Sequence, residues 1–138
     1  MRDKLTEIYN LLIEDDIIKK HTHYIDDDKE DAYRINFYVE PETADLTKPF
    51  IIIEPLSPPK DNVYGSDKAL STAFYYQIDV QSTKRLVCKE IQKAIKNILE
   101  DINFYQLDGG FDEYFKETGR FIDARRYKGN SKMYDTDY

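Results

Sequence analysis

From Thr72 to Ser82 the chain reads TAFYYQIDVQS, and immediately afterwards its periodicity changes. Phe74, Tyr76, Ile78 and Val80 alternate with Tyr75, Gln77, Asp79 and Gln81, the two-residue period of a strand with one face in a core. Beyond Thr83, a candidate helix cap, Val87, Cys88, Ile91, Ala94, Ile95, Ile98, Leu99 and Ile102 form one apolar stripe at helical spacing. Lys89, Glu90, Gln92, Lys93, Lys96, Asn97 and Glu100 read as the solvated side of that helix. A strand and a helix so close in sequence, each with one apolar face, bury both by packing the helix on the sheet.

The flanking sequence extends this pattern. Asp3 caps an opening helix expected to run to about Asp16, with Leu5, Ile8, Tyr9, Leu12, Ile13 and Ile17 on one side. Thr22 to Ile25 reads as a short strand, the acidic run Asp26 to Asp31 as a solvated loop, and Tyr33 to Glu40 as a second strand. FIIIEPL, from Phe50, is a continuous apolar run bounded by prolines, as in a buried strand. Ser57 to Leu70 has no periodicity and is expected to be a long connection, of the kind that often carries function. Asp108, Gly109 and Gly110 mark a turn. FDEYFKETGRFIDARRY then gives two strands, Phe111 to Lys116 and Arg120 to Tyr127, joined at Glu117 to Gly119. The expected fold class is α+β: two amphipathic helices on one face of a mostly antiparallel sheet, in the order α-β-β(-β)-α-β-β. One domain is expected over residues 1–129, with a flexible tail over 130–138.

Composition narrows the function. The net charge of −7 repels phosphate backbones, which argues against tight binding to DNA or RNA but not against DNA passing by. With a single cysteine, Cys88, no intrachain disulfide can form. No segment approaches the roughly 20 apolar residues of a membrane span. MRDKLTEIYN lacks the apolar run of a signal peptide, so a soluble protein of a reducing cytoplasm is expected. Twelve tyrosines and no tryptophan point to many residues at core margins and interfaces.

No cofactor is expected, because each candidate for site chemistry is incomplete. His21 and His23 alternate as on one side of a strand, but zinc needs three or four ligands. DDDKED is acidic without the glycine and glutamate spacing of a calcium loop. Cys88 lies on an apolar helix stripe, and Gly109–Gly110 lacks the rest of a phosphate loop. A metal-dependent nuclease would place an acid and an acid-x-lysine pair on neighbouring strands. Glu54 and Asp79 offer acids, but Gln81 occupies the lysine position and Lys84 falls in the helix.

FIDARRYKG places Arg125 and Arg126 side by side in a strand, on opposite faces, which excludes a paired phosphate clamp. With Lys116, Arg120 and Lys128 they make the last hairpin basic in an acidic chain. Arginine's planar fork suits carboxylates at interfaces, and Asp26, Asp27 and Asp28 are candidate partners within the subunit or on a neighbour.

The order of motifs resembles the tail terminator, or head–tail joining, proteins of long-tailed bacteriophages, particularly a small family from phages of Gram-positive bacteria. The residues that carry the resemblance are the amphipathic opening helix, GSDKAL, YYQIDV, the second amphipathic helix and RFIDARRYKG. It covers about Asp3 to Gly129, with an acidic HTHYIDDDKEDAYRINFYVE segment longer than in that family. The resemblance implies a non-enzymatic virion protein that forms a hexameric ring, or stays monomeric until it meets its partner. Such a ring caps the tail-tube protein, gives the head connector proteins a surface to join and lets DNA through. The interface set this implies is Arg120, Arg125, Arg126 and Lys128, the acids Asp26, Asp27 and Asp28, and Tyr64, Asp67 and Lys68 in the long connection. A head-side neck protein of similar fold is the nearest alternative, and the nuclease the alternative of another class.

Overall fold

The computed structural model describes residues 1–40, 47–65 and 68–138, with the backbone alone over 62–65 and 68–70. Three helices and a mostly antiparallel sheet make an α+β fold. Two long strands form the spine of the sheet: β6 (Lys68–Ser82) and β9 (Arg120–Asn130), paired antiparallel from Ala73↔Asn130 to Ser82↔Phe121. Each carries two shorter strands in series on its outer edge. Along β6 run β4 (Phe50–Pro55) and β5 (Lys60–Gly65). Along β9 run β7 (Phe104–Gln106) and β8 (Phe111–Phe115). β3 (Ile35–Phe37) adds to β4, the one parallel pair among the described residues.

The helices are α1 (Lys4–Leu12), α2 (Asp16–Thr22) and α3 (Arg85–Glu100). On α3 the stripe behaves as its spacing requires: Cys88, Ile91, Ala94, Ile95 and Leu99 are buried. They meet Phe74, Tyr76, Ile78 and Val80 of β6, together with Ile51, Ile53, Phe104, Tyr127 and the inner residues of α1. The other face of the sheet carries Tyr75, Gln77 and Asp79, and no described helix packs on it.

Four readings of the sequence are corrected. The opening helix is two helices, because the Asp15 carboxylate accepts from Ile17 N and Ile18 N and so starts a new helix where the first would have continued. Ser57 to Leu70 contains a β-hairpin rather than a long unstructured connection: β5 turns back into the first third of β6, and the pair extends past the end of β9. Pro58 and Pro59, which lack a ladder donor, fall in the gap between β4 and β5. The strand expected over Tyr33 to Glu40 is broken at Arg34 into β2 (Asp31–Tyr33) and β3. β2 pairs with β1 (His23–Ile25) in a separate two-stranded sheet whose turn is the acidic run. Finally, Gln92 is fully buried, and its amide donates to Ile78 O at 3.0 Å and Asp123 O at 2.7 Å, tying α3 to both spine strands. β7 escaped the sequence reading because three residues are too few to show a period.

A flexible tail is expected over 130–138; Asn130 ends β9, and the residues after it contact β6 and α1. Thr72 N donates to Ser131 Oγ, Ser71 bridges Asp135, and the Tyr138 hydroxyl donates to the Glu7 carboxylate at 2.8 Å. No helix among the described residues is long and apolar enough to cross a membrane.

Candidate subunit interface

β9 distributes its charges by strand alternation. Asp123 and Arg125 face the helices, and Arg126 and Lys128 face the open side. The inner pair is already satisfied. Asp123 is 2% exposed and receives Lys89 Nζ at 2.7 Å and a two-pronged contact from Arg125, Nε at 2.9 Å and Nη2 at 3.2 Å. Lys89 also reaches Asp112 on β8. Burial alone would pull the Lys89 ammonium down, but the bonds to Asp112 and Asp123 outweigh it and hold its pKa above the usual lysine value. The cluster has two cations and two carboxylates and joins α3, β8 and β9, which makes it an internal brace.

Arg120 is likewise engaged inside the subunit. It is 7% exposed, donates to Gln81 Oε1 at 3.1 Å, lies 3.8 Å from Glu40 and sits 5.5 Å over the Phe50 ring. Among the described residues Arg126 and Lys128 have neutral partners only. Arg126 donates to Gln77 Oε1 at 3.1 Å, and Gln77 in turn donates to Asp79 at 3.1 Å. Lys128 Nζ stands 5.6 Å from the centre of the Tyr75 ring, and Lys60 Nζ 5.4 Å from the same ring. Tyr105, opposite Lys128 in register, is exposed. Sequence reading missed Lys60, Tyr75 and Tyr105 as members of this group. Tyr75 was legible as an outward strand position, but Lys60 joins only through the hairpin that the prolines concealed.

The acids Asp26, Asp27 and Asp28 sit at the tip of the β1–β2 hairpin. Asp26 shapes the turn, its Oδ1 accepting from Asp28 N and Glu30 N at 2.9 Å, while Asp27, Asp28 and Glu30 are exposed. Tyr64 and Lys68 lie in the β5–β6 hairpin, Tyr64 opposite Ala69 and Lys68 opposite Gly65; Asp67 lies outside the described residues.

The structure gives the two histidines separate partners. His21 Nε2 lies 3.6 Å from Glu90, whereas His23 bonds Asp31 at 2.7 Å. Glu54 and Asp79 are on adjacent strands, out of direct register, and Lys84 is the residue before α3. Burial raises the Asp79 pKa, aided by the charges of Glu54 and Glu40 and opposed by the Gln77 hydrogen bond. No group of three His, Cys, Asp or Glu side chains placed to hold a metal occurs among the described residues. Burial lifts the Cys88 thiol to about 11, which suits a core residue and not a nucleophile.

No protein-family model matches the chain, and no curated protein matches it in sequence. In fold it is similar to a chain from the virion of a native gene transfer agent particle, with a TM-score of 0.60 and 10% identity. The likeness spans 89% of this chain and 90% of that one, so the two share one architecture nearly end to end.

Proposed function

We propose that this chain is a structural protein of a phage-like particle, without catalytic activity. It forms a ring that caps the tail tube and joins it to the head while DNA passes through. The observation that carries this reading is the end-to-end likeness to a chain of a gene transfer agent virion. Two features of the fold support it: one face of the sheet bears no described helix, and the β5–β6 hairpin extends past the sheet's central pairing. Both are surfaces that a neighbouring subunit would complete. On this reading the partners are other copies of the chain, the tail-tube protein and the head connector proteins, and the protein resides in the tail or neck of the virion. The net charge of −7 keeps transiting DNA from adhering.

The test is to mix the purified chain with assembled tail tubes and examine their ends by negative-stain electron microscopy. A ring of fixed subunit number at one tube end, with tube growth arrested, is the expected result. Binding to the connector on the head side instead would make it a neck protein. Binding to neither would overturn the reading.

A further inference from the structure

We propose that the open-face group Lys60, Tyr75, Tyr105, Arg126 and Lys128 is the receptor for the acidic β1–β2 hairpin of the next copy of the chain. This inference rests on the ring reading and names its contact. Among the described residues Lys60, Arg126 and Lys128 form no ion pair, although the chain has 27 acidic residues against 20 basic ones. Arg120 and Arg125, the other two cations of β9, are held within the chain, Arg120 by Gln81 near Glu40 and Arg125 by Asp123, while Lys116 sits in the β8–β9 turn. Lys60, Arg126 and Lys128 thus stand together as unpaired cations on one strip of the open face, over tyrosine rings that supply flat apolar contact. Glu54 lies in the same row as Gln77 and Arg126, and Asp79 in the next row along, so negative charge borders the Arg126 end of the strip and an incoming anion is favoured at the Lys60–Lys128 end.

The complementary surface lies on a different element of the same chain. Asp27, Asp28 and Glu30 crown a short hairpin that stands apart from the main sheet, in its own two-stranded sheet. Asp26 fixes its tip through two backbone hydrogen bonds, so the carboxylates are presented on an ordered turn. Because donor and receptor are separate patches, the contact is heterologous: each copy uses its hairpin on one neighbour and offers its strip to another. Such a contact propagates round a ring if the rotation closes. Charge complementarity of this kind sets register and partner choice more than raw affinity.

The test uses two charge-reversed full-length proteins, one carrying Arg126→Glu and Lys128→Glu and the other Asp27→Lys and Asp28→Lys. Both alter exposed or half-exposed side chains, and circular dichroism confirms that each is folded. Sedimentation equilibrium is run on each alone and on an equimolar mixture. Alone, each should remain at the single-chain mass of 16.4 kDa where the wild type associates. In the mixture every hairpin again meets a strip of opposite charge, so association should return, in even-numbered assemblies. A mixture no heavier than its components overturns the proposal, whether or not the wild type associates, as does either variant associating like wild type alone. Tube-end binding keeps the two readings apart. Variants that still cap tubes in rings leave the ring reading standing and remove this contact, whereas a wild type that ignores tubes removes the ring reading. A gel-shift with duplex DNA closes the remaining route. DNA binding that disappears in Arg126→Glu/Lys128→Glu, with no change in mass, would assign the strip to phosphate and overturn the proposal.

Discussion

Gly129 should tolerate no side chain, and the reason lies across the strand. In register Gly129 stands between Phe74 on β6 and Phe104 on β7. A Cβ there would lie 2.2 Å from Phe104 Cδ1 and 2.3 Å from Cε1 and Cγ. Reaching ordinary contact at 3.4 Å requires the ring to move about 1.2 Å (3.4 − 2.2). The Phe104 ring is fully buried and stacked with Phe74 at 6.1 Å and Tyr76 at 5.9 Å, so it has nowhere to go in an interior packed at crystal density. Overpacking of this kind costs about 1–3 kcal/mol, and a clash with three ring atoms belongs in the upper half of that range. Alanine returns roughly 0.5–1 kcal/mol by stiffening the unfolded chain. The expected net loss for Gly129→Ala is about 2 kcal/mol, read by urea unfolding through circular dichroism and the fluorescence of a chain with twelve tyrosines and no tryptophan. Trimming the ring should reverse the effect. Phe104→Ala alone costs roughly 3–5 kcal/mol, but the double variant should be no less stable than Phe104→Ala, because the new methyl occupies the space the ring left. Phe104→Leu offers the same comparison in a milder background. Additive losses, or a Gly129→Ala protein within about 0.5 kcal/mol of wild type, would refute the reasoning.

Three further expectations follow from the same contacts. Asp123→Asn leaves Lys89 and Arg125 without their shared buried carboxylate and should cost about 3–5 kcal/mol in urea unfolding, with α3 and β8 losing amide protection first. Cys88, with its thiol raised to about 11, should resist alkylation at pH 8 in the native protein and react fully once urea unfolds it. Asp79→Asn should stabilise the fold at pH 7. The folded pKa of Asp79 is raised, so between the unfolded and folded values the native state holds the extra proton and stability falls as pH rises. The advantage of asparagine should therefore shrink as pH drops through the folded pKa and vanish below the unfolded value of about 3.9, as measured by unfolding at a series of pH values.

Legibility in the sequence followed the range of the forces involved. β6 and α3 were plain because alternation and the three-four stripe are local patterns repeated over many residues. The last hairpin was plain because Gly119 and its neighbours mark the turn between two apolar-polar runs. The break at Ile13–Asp15 was hidden because the apolar stripe continues through it, and only the Asp15 carboxylate decides that a second helix begins. The β5–β6 hairpin was hidden because its order comes from pairing with a strand beyond it, and two prolines imitate a loop. At the interface, the sequence marked Arg120, Arg125, Arg126 and Lys128 as one basic group. The Asp123–Arg125 pair, two residues apart on one strand face, is local, but Gln81, which engages Arg120 from 39 positions away, is chosen by strand register and not by proximity in the chain.

The two-strand spine also governs when the fold exists. Each pair between β6 and β9 joins residues 39 to 57 positions apart, from 121 − 82 to 130 − 73. During synthesis β6 can close on β4 and β5 early, but its other edge waits, unpaired, for the arrival of β9. Arg126 and Lys128 ride on that same late strand. A chain interrupted before β9 thus offers neither a completed sheet nor the Arg126–Lys128 surface, so the fold and that surface arise together in one late step.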